Sequence, residues 1–196
     1  MGNCSNLKDY CEVNCYLNNK IDIDDNNNND DSFFLTPSTE NKITILYKIN
    51  NPNDNIRLFG EKFIEKNKKN CKMVIDFVEM DLLEFYKPKK QKDILTVCVE
   101  LKRNISDLSY MFCGCSSLIS IPDFFNLNIN KVTNISHMFS ECTSLEVLPD
   151  ISNWKLNNIT DISYLFSDCS NLKTIPDISN WKTYNVQNMS HIFHNC

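Results

Sequence analysis

Four groups of side chains have the types and spacing that chemistry requires. The last residues carry His191, His194 and Cys196 in the order H-x-x-H-x-C. Imidazole and thiolate ligands of this kind suit zinc if Cys169 or Cys142 comes near. Cys113 and Cys115 are one residue apart, a spacing open to thiol redox chemistry. Asp22, Asp24 and Asn26 fit the first ligand positions of a calcium loop. Asn27 then stands where Gly is needed and Phe33 where Glu is needed, so that reading fails. Finally, the chain begins Met1-Gly2-Asn3-Cys4-Ser5-Asn6. Loss of Met1 would expose Gly2 to myristoylation, and Cys4 stands where palmitate is commonly added. The strict pattern wants Ser or Thr where Asn6 stands. One acyl chain binds a membrane marginally and a second makes the anchor stable; Cys11 and Cys15 add further thiols.

The elements that position these groups are repeats. Phe112, Phe139, Phe166 and Phe193 are 27 residues apart, as are Cys115, Cys142, Cys169 and Cys196. Leu118, Leu145 and Leu172 keep the same period, followed by Pro122, Pro149 and Pro176. A period in this range predicts units that bury their apolar faces on one another. Within a unit, Ile162, Leu165, Phe166 and Cys169 fall at i, i+3, i+4 and i+7, which predicts a short helix. Asp107, Asn134, Asp161 and Asn188 stand before it as N-caps. Leu172-Lys-Thr-Ile175 then reads as a short strand ended by Pro176. Ile178, Trp181 and Val186 carry the return limb, with Trp154 in the phase of Trp181 and Leu127 in that place in the first unit.

The repeat phases also set the metal and redox readings aside. His191 occupies the phase of His137 and Tyr164, and His194 that of Ser140 and Ser167, both read as exposed surface. Cys113 shares the outward phase of Ser140. Cys115, Cys142, Cys169 and Cys196 align as a buried column of small hydrophobes. Neither a metal nor another cofactor is expected.

Composition narrows the class. The chain has 196 residues, a net charge of −5 and only 3 glycines. The charge speaks against nonspecific nucleic-acid binding. Neither G-x-x-x-x-G-K nor G-x-G-x-x-G occurs. No Ser-His-Asp or paired-carboxylate arrangement is singled out, so neither an enzyme nor a small-molecule substrate is expected. No signal peptide and no run of 18 apolar residues is visible. These observations predict a cytoplasmic protein held at the inner leaflet by its N-terminus. Residues 1–41 read as a disordered acidic, Asn-rich tail, 42–104 as a strand-rich N-terminal capping region, and 105–196 as three repeats and part of a fourth.

The text Leu148-Pro-Asp-Ile-Ser-Asn-Trp154 through Asp161-Ile-Ser-Tyr-Leu-Phe166-Ser-Asp-Cys169, and its counterpart from Ile175 to Cys196, closely resembles the BspA-like leucine-rich repeats. The likeness is to the surface-protein subgroup, in versions common in unicellular eukaryotes. The resemblance implies an α/β leucine-rich-repeat solenoid of short strand plus short helix, used for recognition and without catalytic residues to carry over. Bacterial members are often secreted adhesins; this chain lacks their signal peptide and stops at Cys196, halfway through a unit.

Specificity is expected where the frame is constant and the residues change: Ile119 and Ser120, Glu146 and Val147, Lys173 and Thr174. Asp123, Asp150 and Asp177 share one phase beside them. They read either as an acidic ladder for a basic partner or cation, or as Asx turns bonding their own backbone; the turn is favoured. The expected function is a protein–protein interaction module tethered to a membrane. The alternatives are a fragment of a secreted or cell-surface adhesin-like repeat protein, or the regulatory part of a larger signalling protein.

Overall fold

Strand-forming, β-branched sequence opens the folded unit: β1 spans Lys42–Lys48 with Ile43, Ile45 and Tyr47 buried. The computed structural model describes residues 41–196 apart from Pro52, Lys90, Gln91 and Arg103. The chain divides into two units, Met1–Glu40 and Asn41–Cys196, and the described residues belong to the second. Gly2, Cys4, Cys11, Cys15 and the acidic run from Asp22 lie outside the described residues.

Among the described residues, seven strands and two short helices follow one another: β1, β2 (Ile56–Arg57), α1 (Glu61–Asn67), β3 (Cys71–Ile75), β4 (Val78–Met80), β5 (Phe85–Tyr86), β6 (Ile94–Leu101), β7 (Leu118–Ser120) and a 3-10 turn at Phe124–Asn126. Five strands form one sheet in the order β4-β3-β6-β1-β7, and β2 pairs with β5 in a second. All these named strand pairings are antiparallel. β6 and β1 lie at the centre, in register from Lys42↔Glu100 to Lys48↔Ile94. The polar run after Gly60 forms α1, which buries Phe63, within the stretch read as strand-rich. Gly60 is required where it stands: a Cβ there would lie 2.2 Å from the carbonyl oxygen of Tyr110.

β7 belongs to the first repeat and closes the sheet against β1, with a register shift between Leu46 and Tyr47. Past β7 the Thr44 amide is met by a side chain: Asp123 accepts from Thr44 N at 2.7 Å and from Thr44 Oγ1 at 2.9 Å. One apolar core runs from Ile43 in β1 to Cys169 in the repeats.

The expected leucine-rich-repeat solenoid of strand-plus-helix units is not what forms. The regular structure is mostly antiparallel sheet, and the one short α-helix among the described residues, α1, lies outside the repeats. The apolar spacing over 161–169 is met by turns. Tyr164 and Asp168 have φ of 55° and 62°, as do His137 and Glu141 (56° and 62°) one unit earlier, and such angles break a right-handed helix. Alternate amides also leave the segment: Ile162, Tyr164, Phe166 and Asp168 donate to Asn188, Ser190, Ile192 and His194 carbonyls at 2.7–3.0 Å. An i→i−4 helix would need those amides itself. Nor does each unit keep a strand. Beyond β7, the corresponding segments meet in a single parallel bridge, Val147↔Thr174.

Candidate functional site

Because consecutive units run alongside one another, residues in one phase meet their own kind. The rings of Phe112, Phe139, Phe166 and Phe193 follow at 5.5, 5.7 and 5.4 Å. Beside them the cysteines bond across units. The Cys142, Cys169 and Cys196 thiols donate to the carbonyls of Phe112, Phe139 and Phe166 at 3.1, 3.1 and 3.0 Å. Burial pushes these thiols up, Cys169 to about 12, which keeps the donating S–H form. Cys115, Cys142 and Cys169 are fully buried, whereas Cys196 is exposed. Cys113 is half-buried and its thiol is also pushed up, chiefly by burial. Neither it nor the column is poised as a thiolate.

A second column was hidden in a phase read as plain surface. Tyr110, His137, Tyr164 and His191 stack at 4.5, 4.6 and 4.7 Å with interplanar angles of 8°, 5° and 1°. All four have positive φ, 55–61°. Lys62 of α1 places its ammonium 4.3 Å from the Tyr110 ring centre, a cation–π contact at one end. Burial lowers the His137 imidazole, and the Lys62 charge adds to this. His194 lies edge-on to His191 at 5.3 Å. Among the described residues no group of three or more His, Cys, Asp or Glu side chains is placed to hold a metal ion. The sequence signal for this seam was an aromatic or imidazole ring every 27 residues.

The residues proposed for recognition fall on two kinds of surface. Ile119 and Ser120 are half-buried in β7 against β1. Glu146, Val147, Lys173 and Thr174 are exposed and adjacent. Glu146 accepts from Lys173 Nζ at 2.6 Å, which holds its carboxyl below the ordinary range. Both partners are solvated, so the pair adds little stability. Val147 is 59% exposed and Ile175 beside this strip 48%.

The three aspartates of the shared phase part company. Asp123 is buried in its bonds to Thr44, and burial raises its carboxyl. Asp150 and Asp177 are exposed Asx turns, accepting from the amides of Ser152 and Ser179 at 3.0 and 2.9 Å. Those bonds hold both carboxyls low. Only these two stand in solvent beside the Glu146–Thr174 strip. Sequence reasoning missed Phe125, 70% exposed at the neighbouring 3-10 turn.

Residues 102–196 match the family described as "Mycoplasma protein of unknown function, DUF285". The match covers just under half of the chain and is consistent with the BspA-like resemblance of the repeats. No curated protein and no solved structure matches the chain. Among the described residues no helix is long and apolar enough to cross a membrane.

Proposed function

We propose that the chain is a protein–protein interaction module, held at a membrane by acylation of Gly2 and Cys4 and presenting the face around Glu146, Val147, Lys173 and Thr174 to a protein partner. The observation that carries this reading is the exposure of those four side chains on a frame whose Phe, Cys and aromatic columns are internally satisfied. The side chains free to differ between units are those that meet solvent. The role is binding without catalysis, at the cytoplasmic side, and the likeness extends to the surface-protein subgroup of unicellular eukaryotes.

The test has two arms. Glu146→Ala with Lys173→Ala should weaken capture of the partner from a lysate while leaving Tm unchanged; a fall in Tm would reassign both residues to the frame. Incorporation of a clickable myristate analogue, beside Gly2→Ala, should give label and membrane fractionation that vanish together. Absence of label in the parent chain removes the tether. A second reading, a segment of an adhesin-like repeat protein, would show as partner capture by the same face with no acyl label.

A further inference from the structure

Tyr110 carries a different group on each of its faces. His137 lies parallel to it at 4.5 Å, and Lys62 of α1 holds its ammonium 4.3 Å from the ring centre. A parallel ring at that spacing leaves no room for an ammonium between the two, so Lys62 takes the opposite face. Lys62 stands in the first turn of α1, and His137 belongs to the second repeat. Tyr110, in the first repeat, is therefore a joint between them. Both faces of a phenol ring are negative and attract cations. Two cations on one ring also repel each other across it, whereas a neutral imidazole stacks without that cost.

The charges around His137 come from the elements packed on it. From α1 comes Lys62. The preceding unit has Asp107, which Lys66 Nζ engages at 2.6 Å and which accepts from Ser109. The unit of His137 itself supplies Glu141, and the following unit Asp161, which accepts from the Ser163 amide at 2.9 Å. Burial and the Lys62 charge lower the imidazole, against the opposite pull of Asp161 and Glu141. The two cations differ in freedom. His137 is wedged between Tyr110 and Tyr164, and its amide is held by the Ser163 carbonyl at 2.9 Å. Lys62 is an exposed side chain on a flexible stem.

We propose that Tyr110 links a proton to the seat of Lys62: with His137 neutral the ammonium rests on the ring, and protonation of His137 drives it off, loosening the first turn of α1 from the repeats on acidification. The imidazole stays stacked and turns its charge to Asp161 and Glu141. The rest of α1 holds, since Phe63 is buried and Asn67 Nδ2 donates to the Asp107 carbonyl at 2.9 Å. The direction follows from the lowered imidazole. The contact is complete above the ordinary histidine range and is lost as pH falls from that range through the folded value. This proton-sensitive joint goes beyond the binding reading and does not rest on it.

The experiment follows the full chain, labelled at histidine and lysine, by NMR between pH 8 and pH 5. The expected result is that the His137 ring and the Lys62 methylenes next to the ammonium shift with one midpoint, the methylenes losing the ring-current shift of Tyr110. Lys62→Met should move the His137 midpoint upward. His137→Tyr places in this phase the residue that the units on either side already have, and should leave the Lys62 signals seated across the whole range. A parent chain whose Lys62 signals stay fixed while His137 titrates overturns the proposal. So does a His137 midpoint unchanged by Lys62→Met, or a Lys62 transition that survives His137→Tyr. If His137→Tyr does not fold, the Lys62→Met titration decides alone, because Lys62 is exposed and its loss opens no core. Neither acylation nor a partner enters these readings, so they stand or fall apart from the tether and the recognition face.

Discussion

Between Lys42 and Leu101, most strand amides find partners in regular antiparallel ladders, whereas in the repeats alternate amides, from Leu108 to Gly114, His137 to Glu141 and Ile162 to Asp168, reach into the next unit. The side chains follow suit. In the sheet, neighbours are unlike: Ile45 faces Val97, and Met73 faces Val99. In the repeats, neighbours are alike, because each phase meets itself. A phase then admits only residues that satisfy their own kind or the backbone beside it. Phenylalanine rings stack, and cysteine thiols reach a carbonyl. Asparagine does the same: Asn158 and Asn171 donate to the Asn130 and Thr143 carbonyls at 2.6 Å. Heavy use of asparagine, which carries little weight as composition, has this structural use. A substitution at Val99 in the sheet disturbs two unlike neighbours, Ile43 and Met73, but one in the repeats disturbs a column of like residues.

Phe139→Ala should give the largest effect and breaks the comparison most directly. Phe139 is fully buried between Phe112 and Phe166 and edge-on to Phe124. Its truncation is expected to cost about 3–5 kcal/mol. Both tryptophans lie in the repeats, so their fluorescence reports that half, while far-UV circular dichroism weighs the sheet more heavily. With one continuous core the two denaturation curves should move together. If only the fluorescence curve moves, the halves are separate cooperative units, and the contrast becomes one of folding as well as of bonding.

How much of this was legible depended on which force chose the conformation. The region 42–104 reads as strand-rich, and Ile94–Leu101 and Cys71–Ile75 within it are β6 and β3, because burial on a pleated surface selects their β-branched residues directly. The buried cysteine phase was legible for the same reason. Helix in the repeats was not refuted by any residue's propensity. Tyr164 and His137 carry no mark of a positive φ, and only the cross-unit bonds and ring stacking hold them there. At the candidate face, Glu146 and Lys173 were legible as variable positions on a constant frame. Asp123 was not distinguishable from Asp150 and Asp177, because its partner, Thr44, lies 79 residues away in β1.

That aspartate phase sharpens the comparison at the seam between the two regions. Asp123→Ala removes the carboxylate that accepts from the buried Thr44 amide and hydroxyl and should cost about 1–3 kcal/mol. Asp150→Ala, in an exposed turn, should lower Tm far less than Asp123→Ala does. Their pH dependence should differ in sign. Burial raises the Asp123 carboxyl in the folded chain, so its contribution is full below the unfolded carboxylate range and is lost as pH rises through the folded value. Asp150 and Asp177 are lowered, so theirs is present above that range and lost as pH falls. Relative to Asp123→Asn, the parent chain should therefore gain stability as pH is taken down through the carboxylate range. Stability curves of the two that stay parallel across it would remove burial as the cause.

The smallest effect separates two residues of one phase. Trp154 and Trp181 stack at 6.4 Å, but their indole N–H groups fare differently. Trp181 Nε1 donates to the Ile151 carbonyl at 2.9 Å. Trp154 Nε1 is buried and has no hydrogen-bond partner among the described residues; the unit before it has the 3-10 turn Phe124–Asn126 and Leu127 in the tryptophan's place. Trp181→Phe should cost about 0.5–1.5 kcal/mol for the lost bond. Trp154→Phe removes a desolvated donor along with some packing against Phe124, so the two changes oppose each other and Tm should fall less. Thermal melts followed by circular dichroism, which do not depend on the deleted fluorophore, decide the order. A larger fall for Trp154→Phe would mean that ring packing against the first unit outweighs the polar bond. The phase rule would then hold for shape rather than for hydrogen bonding.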